Sequence, residues 1–270
     1  MNAIHRVTRI RHEVDRRLLT VKAVERLTPN MIRVTFCGDS LEGFVSYGHD
    51  DHVKLLFPPN GEASSPDRAP ADASPPVLQN GGRPIMRDYT PRRYDAAAQE
   101  LVIDFAMHGA GPATDWAAQS RPGQQLEIGG PRGSFIVADD FDWRLFVGDE
   151  TALPAIGRGL EELRAGLHVI VVAAIADGAE QQHFRSRATV AVHWVYRPAS
   201  KAADASILVD AVSALTLPNG DGYVWVAGES DMARTLRKHL LLERGLDKAW
   251  VKAAGYWRQG GAGVHEPLND

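Results

Sequence analysis

The segment Arg87-Asp88-Tyr89-Thr90-Pro91-Arg92 sets an aromatic ring, a hydroxyl and two guanidinium groups within six residues. A flavin asks for these groups. Its isoalloxazine ring packs on a flat apolar partner. Its N5 edge wants a small hydroxyl or a backbone donor, and its phosphates want a forked cation. The same residues also make an ordinary strand with solvated arginines at its ends, since Tyr and Thr are good strand formers.

On the N-terminal side, residues 58–83 hold Pro58, Pro59, Pro66, Pro70, Pro75 and Pro76 among Ala, Ser, Asp and Gly. Such a stretch packs no core and reads as a mobile surface loop between two strands. Around it lie short antiparallel-type strands at Val21–Val24, Met31–Phe36, His52–Phe57, Leu101–Met107 and Gln125–Ile128, each bounded by turn residues. Their spacing predicts a small β-barrel over residues 1–140.

From residue 141 to 270 the pattern changes. Leu145–Val147, Leu167–Ala176, Val190–Tyr196, Tyr223–Ala227 and Trp250–Ala254 are apolar strands. Between them Thr151–Arg164, Ala205–Leu215 and Ser230–Glu243 carry apolar residues at helical spacing. Strands alternating with helices predict a parallel sheet that binds a nucleotide. Neither G-x-G-x-x-G nor G-x-x-x-x-G-K-[ST] occurs, which argues against a Rossmann dehydrogenase and a P-loop ATPase.

The chain has one cysteine, Cys37, so it builds neither a disulfide framework nor a thiolate-held iron–sulfur cluster. Electron transfer, if that is its work, falls to an organic cofactor. Cys37 ends an alternating strand and is expected to be a buried structural thiol. The formal net charge of -4 gives no reason to expect nucleic acid or an anionic membrane as partner. No apolar run reaches the roughly 18 residues of a membrane span. Arg16-Arg17 is not followed by an export-type apolar stretch, because Lys22, Glu25 and Arg26 interrupt it. A cytoplasmic protein is expected, with its basic N-terminal arm solvated or packed on the first domain.

Three further segments join Arg87–Arg92: Asp104-Phe105-Ala106-Met107-His108-Gly109-Ala110-Gly111-Pro112-Ala113-Thr114-Asp115-Trp116-Ala117, then Gly148-Asp149-Glu150-Thr151-Ala152-Leu153-Pro154-Ala155-Ile156, and Ala254-Gly255-Tyr256-Trp257-Arg258. Together, in this order, they resemble the siderophore-interacting protein family of ferric-siderophore reductases, within the ferredoxin-reductase superfamily. The resemblance implies an FAD-binding antiparallel barrel followed by a nicotinamide-nucleotide-binding α/β domain. It implies non-covalent FAD, NADPH or NADH as reductant, and an Fe(III) chelate as acceptor. It carries the cofactor site to Arg87, Tyr89, Thr90, Arg92, Asp104, His108, Gly111, Pro112, Ala113, Thr114, Thr151, Ala152 and Trp257. The nicotinamide site would include Asp149, Thr151, Ala152 and Glu229.

The motifs also have readings of their own. Gly109–Pro112 followed by a helix start is a ready anion site, suited to the FAD pyrophosphate. Asp149 and Glu150 precede a helix and are expected to stabilise its N-terminus rather than act as acid and base, which hydride transfer does not need. His49-Asp50-Asp51-His52 resembles a metal site, but consecutive strand residues point to opposite faces, so a polar strand entry is expected and no metal. Lys54, out of phase with Val53 and Leu55, is expected to point outward. With Arg132 and Arg258 it is expected to form a basic rim for an anionic ferric siderophore. A preference for NADPH would rest on basic groups among Arg185, Arg187, Arg197, Arg234 and Lys238. A monomer is expected. Two other readings remain open: a reductase of the same architecture acting on flavin, quinone or a protein, and a siderophore or flavin carrier without turnover.

Overall fold

The computed structural model describes residues 5–58, 84–109, 111–261 and 266–268. They fall into two compact units, one of Arg9–Ile136 and one of Val137–Asp270 together with residues 5–8. The loop expected over 58–83 lies, beyond Pro58, outside the described residues.

The first unit is built on β1 (Val7–Arg11), β2 (Arg16–Thr28), β3 (Met31–Cys37), β4 (Val53–Phe57), β5 (Ile85–Tyr89), β6 (Arg93–Asp95), β7 (Glu100–Ala106), β8 (Gln125–Gly129) and β9 (Gly133–Val137), with helix α1 (Pro112–Gln119) after β7. Strands β2 to β8 form one antiparallel sheet in the order β5-β4-β8-β2-β3-β7-β6. Period-two alternation sends Leu19, Val21, Val34, Phe36, Leu55, Phe57, Leu101, Ile103 and Phe105 into a single core, which Trp116 of α1 completes. Irregular register at Val21/Ala23 and Arg26/Thr28 marks bulges in β2, which bend a strand and increase its twist. The sheet therefore curls round its core. Tyr89 on edge strand β5 meets Phe105 on β7 with ring centroids 4.5 Å apart.

Two expectations for this half change. Cys37 is only half-buried, because the alternation that buries Val34 and Phe36 puts Cys37 on the outward face. The N-terminal arm packs on the first unit only from Arg9 onward. Its Val7–Arg11 segment pairs with β9, and His5 belongs with the second unit. The His5 ring stacks on Phe141 at 3.9 Å and hydrogen-bonds Asp140 at 2.8 Å and Asp221 at 3.1 Å. Burial opposes protonation there, but these two carboxylates prevail and hold the imidazole pKa above its ordinary value.

The second unit comprises β10 (Trp143–Gly148), α2 (Leu153–Glu162), β11 (His168–Ile175), β12 (Thr189–Tyr196), α3 (Ala205–Ser213), β13 (Gly222–Glu229), α4 (Ser230–Leu242), β14 (Val251–Trp257) and β15 (Glu266–Pro267). The sheet order is β12-β11-β10-β13-β14-β15, with the first five strands parallel and β15 antiparallel. β10 and β13 are buried along their whole length, as central parallel strands with covered faces must be. The chain leaves β10 towards β11 and β12, then returns to β13 on the other side. That reversal opens a crevice at the carboxyl ends of β10 and β13, where ligands of such sheets bind. Gly148 lets the turn close tightly. A Cβ there would lie 2.5 Å from the Cβ of Ala152 and 2.6 Å from the carbonyl of Ala227.

Candidate cofactor and nucleotide sites

On the first unit, β5 delivers Tyr89 and Thr90 to one end of the sheet. The Tyr89 ring packs against the core cluster, and burial holds its phenol above the ordinary value against the pull of Arg87, so it stays neutral. The hydroxyls of Tyr89 and Thr90 make no hydrogen bond among the described residues. Arg87 Nη1 donates to the Met86 carbonyl at 2.8 Å and leaves its other donors for a ligand.

Helix α1 begins with Gly111 at its N-cap and Pro112 in its first turn, and no side chain caps it. Its first internal bond runs from Asp115 N–H to Gly111 O at 2.8 Å. Among the described residues no partner is shown for the N–H groups of Ala113 and Thr114, and every helix start leaves some donors open. The Thr114 hydroxyl donates backwards to Gly111 O at 2.9 Å and towards Gly109 O at 3.3 Å, which holds the preceding turn in place. Gly109 has a φ of 63° and open space where a Cβ would sit. An uncapped helix start beside a Cβ-free turn fits a pyrophosphate, and the Tyr89 and Thr90 hydroxyls, without partners among the described residues, fit a ring with polar edges. The residues present thus suit FAD. His108 is exposed at the end of β7.

Asp104 is a correction. It was expected to meet the cofactor, but its side chain is 1% exposed and already engaged. Arg33 Nε and Nη2 donate to its two oxygens at 2.7 and 2.8 Å, and Arg92 Nε lies 3.8 Å away. Asp104 is thus occupied by Arg33 and lies within ion-pair distance of Arg92. Arg33 went unrecognised, although it stands directly opposite Asp104 in the β3–β7 register. Opposite charges at facing positions of two neighbouring strands were the signal.

On the second unit, Asp149 follows β10 with no exposed surface. It accepts hydrogen bonds from Thr151 N at 2.9 Å, Thr151 Oγ1 at 2.5 Å, Glu229 N at 2.9 Å and Trp257 Nε1 at 2.8 Å. One carboxylate thus ties together the ends of β10, β13 and β14. Its expected role as a helix cap is replaced by this cross-link: α2 begins at Leu153, and its N-cap, Ala152, makes no side-chain bond. Glu150 turns to Arg197, which donates to it at 2.6 Å. Burial and the Asp149 charge raise the Glu150 pKa to about 7, with Arg197 opposing. Glu229 is the carboxylate that caps: it accepts from Asp231 N at 2.7 Å and Met232 N at 2.9 Å at the start of α4.

Of the four residues expected at the nicotinamide, Asp149, Ala152 and Glu229 are at most 1% exposed, so they shape the crevice without lining it. Thr151 is the one with surface to offer. The tightness of the Gly148 turn forces Ala152 inward. Trp257 is half-buried, with its indole N–H committed to Asp149.

The basic candidates for a 2′-phosphate separate by position. Arg187 lies at the amino end of the sheet, where its carbonyl accepts from Gly166 N at 3.2 Å and Thr189 pairs with His168. Arg197 is at the carboxyl end but buried and engaged with Glu150. Arg234, in α4, pairs with Asp231. Of the expected rim, Arg132 and Arg258 are exposed, and Lys54 donates to Asp88 at 2.8 Å.

Residues 20–135 match the family model described as a siderophore-interacting FAD-binding domain, and residues 141–260 the one described as siderophore-interacting protein. The chain is 34% identical to an NADPH-dependent ferric-chelate reductase of Escherichia coli (strain K12), over 92% of this chain and 95% of that protein. It is 31% identical to the ferric vibriobactin reductase ViuB of Vibrio cholerae, over 92% and 93%. Among solved structures, a siderophore utilization protein from T. fusca superposes with a TM-score of 0.82 at 36% identity, covering 96% of this chain and 98% of that one. A ferredoxin reductase of carbazole 1,9a-dioxygenase, at 16% identity and a TM-score of 0.62 over 88% and 68%, shares the fold. The chain belongs to the siderophore-interacting protein family.

Proposed function

We propose that this protein is an FAD-dependent NAD(P)H:ferric-siderophore reductase of the cytoplasm that works as a monomer. The reading rests on one observation above others: a single chain carries both an uncapped helix start, on the unit that also holds Tyr89-Thr90, and a nucleotide-type crevice locked by Asp149. A carrier of siderophore or flavin has no use for the second.

Arg87 and the α1 N-terminus would hold the FAD phosphates, and Tyr89 and Thr90 would hold its ring. Thr151 would meet the nicotinamide. FAD, when bound, lets a two-electron hydride donor serve one-electron acceptors. One hydride thus reduces two Fe(III) ions and leaves one proton. Fe(II), softer and less charged, holds hard oxygen ligands more weakly than Fe(III), so the metal leaves its chelate. The E. coli relative's name favours NADPH over NADH.

The test is anaerobic spectroscopy of the FAD-loaded protein. NADPH should bleach the flavin, and adding a ferric siderophore with an Fe(II) trap should restore its colour. Bleaching followed by recolouring with quinone or free flavin alone would point to another acceptor. Tight chelate binding without bleaching would point to a carrier.

A further inference from the structure

The Ser46–His52 loop of the first unit is not used by this reading, yet its construction is specific. Asp51 is 3% exposed and collects four donors: Ser46 Oγ at 2.8 Å, Tyr47 N at 2.9 Å, Gly48 N at 3.1 Å and Ser134 Oγ at 2.6 Å. The Ser134 hydroxyl oxygen also accepts from Tyr47 N at 3.1 Å. Gly48 seats the loop against β9, since a Cβ there would fall 2.7 Å from the Phe135 carbonyl. This stiff loop presents Tyr47 with 53% of its surface exposed. The phenol ring leans at 64° on the His12 ring, with centroids 5.5 Å apart, and His12 is itself held through Nε2 to Ser134 Oγ at 2.8 Å.

Exposed tyrosines are ordinary, but exposed tyrosines on immobilised backbone are preorganised for contact. The surroundings give the contact a chemistry. His12 N donates to the carbonyl of Arg132, an exposed cation, at 2.9 Å. The loop holding Arg132 follows Gly129, which faces Lys54 across the β4–β8 ladder, while Lys54 faces Asp88 across β4–β5. Two ladder spacings, roughly 10 Å, therefore separate this end of β8 from the strand that carries Tyr89.

We infer that Tyr47, braced on His12, whose backbone N–H also binds the Arg132 carbonyl, is a docking platform for the aryl arm of an anionic ferric chelate. The inference rests on the reading of the protein as a ferric-siderophore reductase and adds a substrate class to it. A ring face and edge recognise an arene, and a guanidinium favours its anionic, iron-bound oxygens. Hydroxamate chelates have no ring to place there.

Equilibrium binding of Ga(III) chelates, which flavin does not reduce, tests this on the FAD-loaded protein. Ga(III) tris-catecholate, Ga(III) tris-hydroxamate and Ga(III) citrate are compared for wild type, Tyr47→Ala and Tyr47→Phe, with melting temperature as a check on folding. Tyr47→Ala should weaken the tris-catecholate about 5-fold and leave the other two unchanged, with Tyr47→Phe close to wild type. Citrate separates charge from ring. Unchanged tris-catecholate binding by Tyr47→Ala, or equal losses for all three chelates, overturns the platform alone. A wild type that binds none of them removes the reductase reading, and the platform with it.

Discussion

Asp149 and Glu150 are neighbours in sequence with opposite fates. Asp149 is saturated by donors, while Glu150 has one strong partner, Arg197, in a poorly hydrated place. Burial and Asp149 raise the Glu150 pKa from 4.5 to about 7. A carboxyl group with a raised native pKa favours the fold while protonated. Its contribution is complete below the unfolded value of 4.5 and is lost as pH rises through about 7. Glu150→Gln cannot ionise and keeps an oxygen for Arg197. The gap in melting temperature between variant and wild type should therefore move in the variant's favour from pH 5 to pH 8. Melting curves across that range check it, and a constant gap would mean that Glu150 does not titrate there. The Gly-Asp-Glu-Thr motif shows neither the burial that raises this pKa nor Arg197, which opposes the rise from 47 residues further along the chain. By contrast, Tyr89 and Thr90 can be proposed as flavin contacts from the sequence alone, because their chemistry lies within one short segment.

At the scale of elements, α1, a helix of eight residues with no side-chain cap, is the proposed phosphate site. A side chain at the N-cap would satisfy the donors that the ligand needs, and Gly111 has none. Thr114 spends its hydroxyl on the turn before the helix. Thr114→Val should loosen that turn and weaken FAD binding about 5-fold, the worth of one neutral hydrogen bond. Arg87→Ala should weaken it about 10- to 100-fold, since a charge-assisted contact to phosphate is lost. Fluorescence titration of FAD into the apoprotein measures both. Arg87→Ala with wild-type affinity would remove Arg87 from the phosphate site. Many strands and helices were legible from their apolar patterns, since one buried face imposes period two on β3 and β8 and a 3.6-residue period on α4. β1 was not. Its Val7–Arg11 run does not alternate, its residues are nearly all exposed, and only pairing with β9 makes it a strand.

For the whole molecule, a net charge of -4 works against an anionic substrate, so any basic rim must act locally. Lys54, Arg132 and Arg258 are its proposed members. Lys54 is paired with Asp88, so removing it also uncovers a carboxylate. Lys54→Ala should raise KM for an anionic ferric chelate, and adding Asp88→Ala should recover most of the loss. Arg132→Ala and Arg258→Ala should raise KM with no such rescue. All of these effects should shrink as salt rises. Steady-state kinetics with an anionic and a neutral chelate decide: equal effects on both would mean that charge is not the cause.

The order of local patterns, an alternating half before a strand–helix half, already determined both fold classes and the family, because periodicity and short motifs are properties of neighbouring residues. The ligand chemistry proposed for Arg87–Arg92 and for the α1 start comes from local motifs in the same way. Only the tertiary structure decided that Asp104 serves Arg33 and Arg92, that Asp149 binds three strand ends, and that Ala152 and Glu229 lie beneath the crevice. Each of these depends on a partner brought close by strand register or by the return of the chain from β12 to β13. Burial and pairing are set by that proximity, and residues far apart in sequence do not announce it.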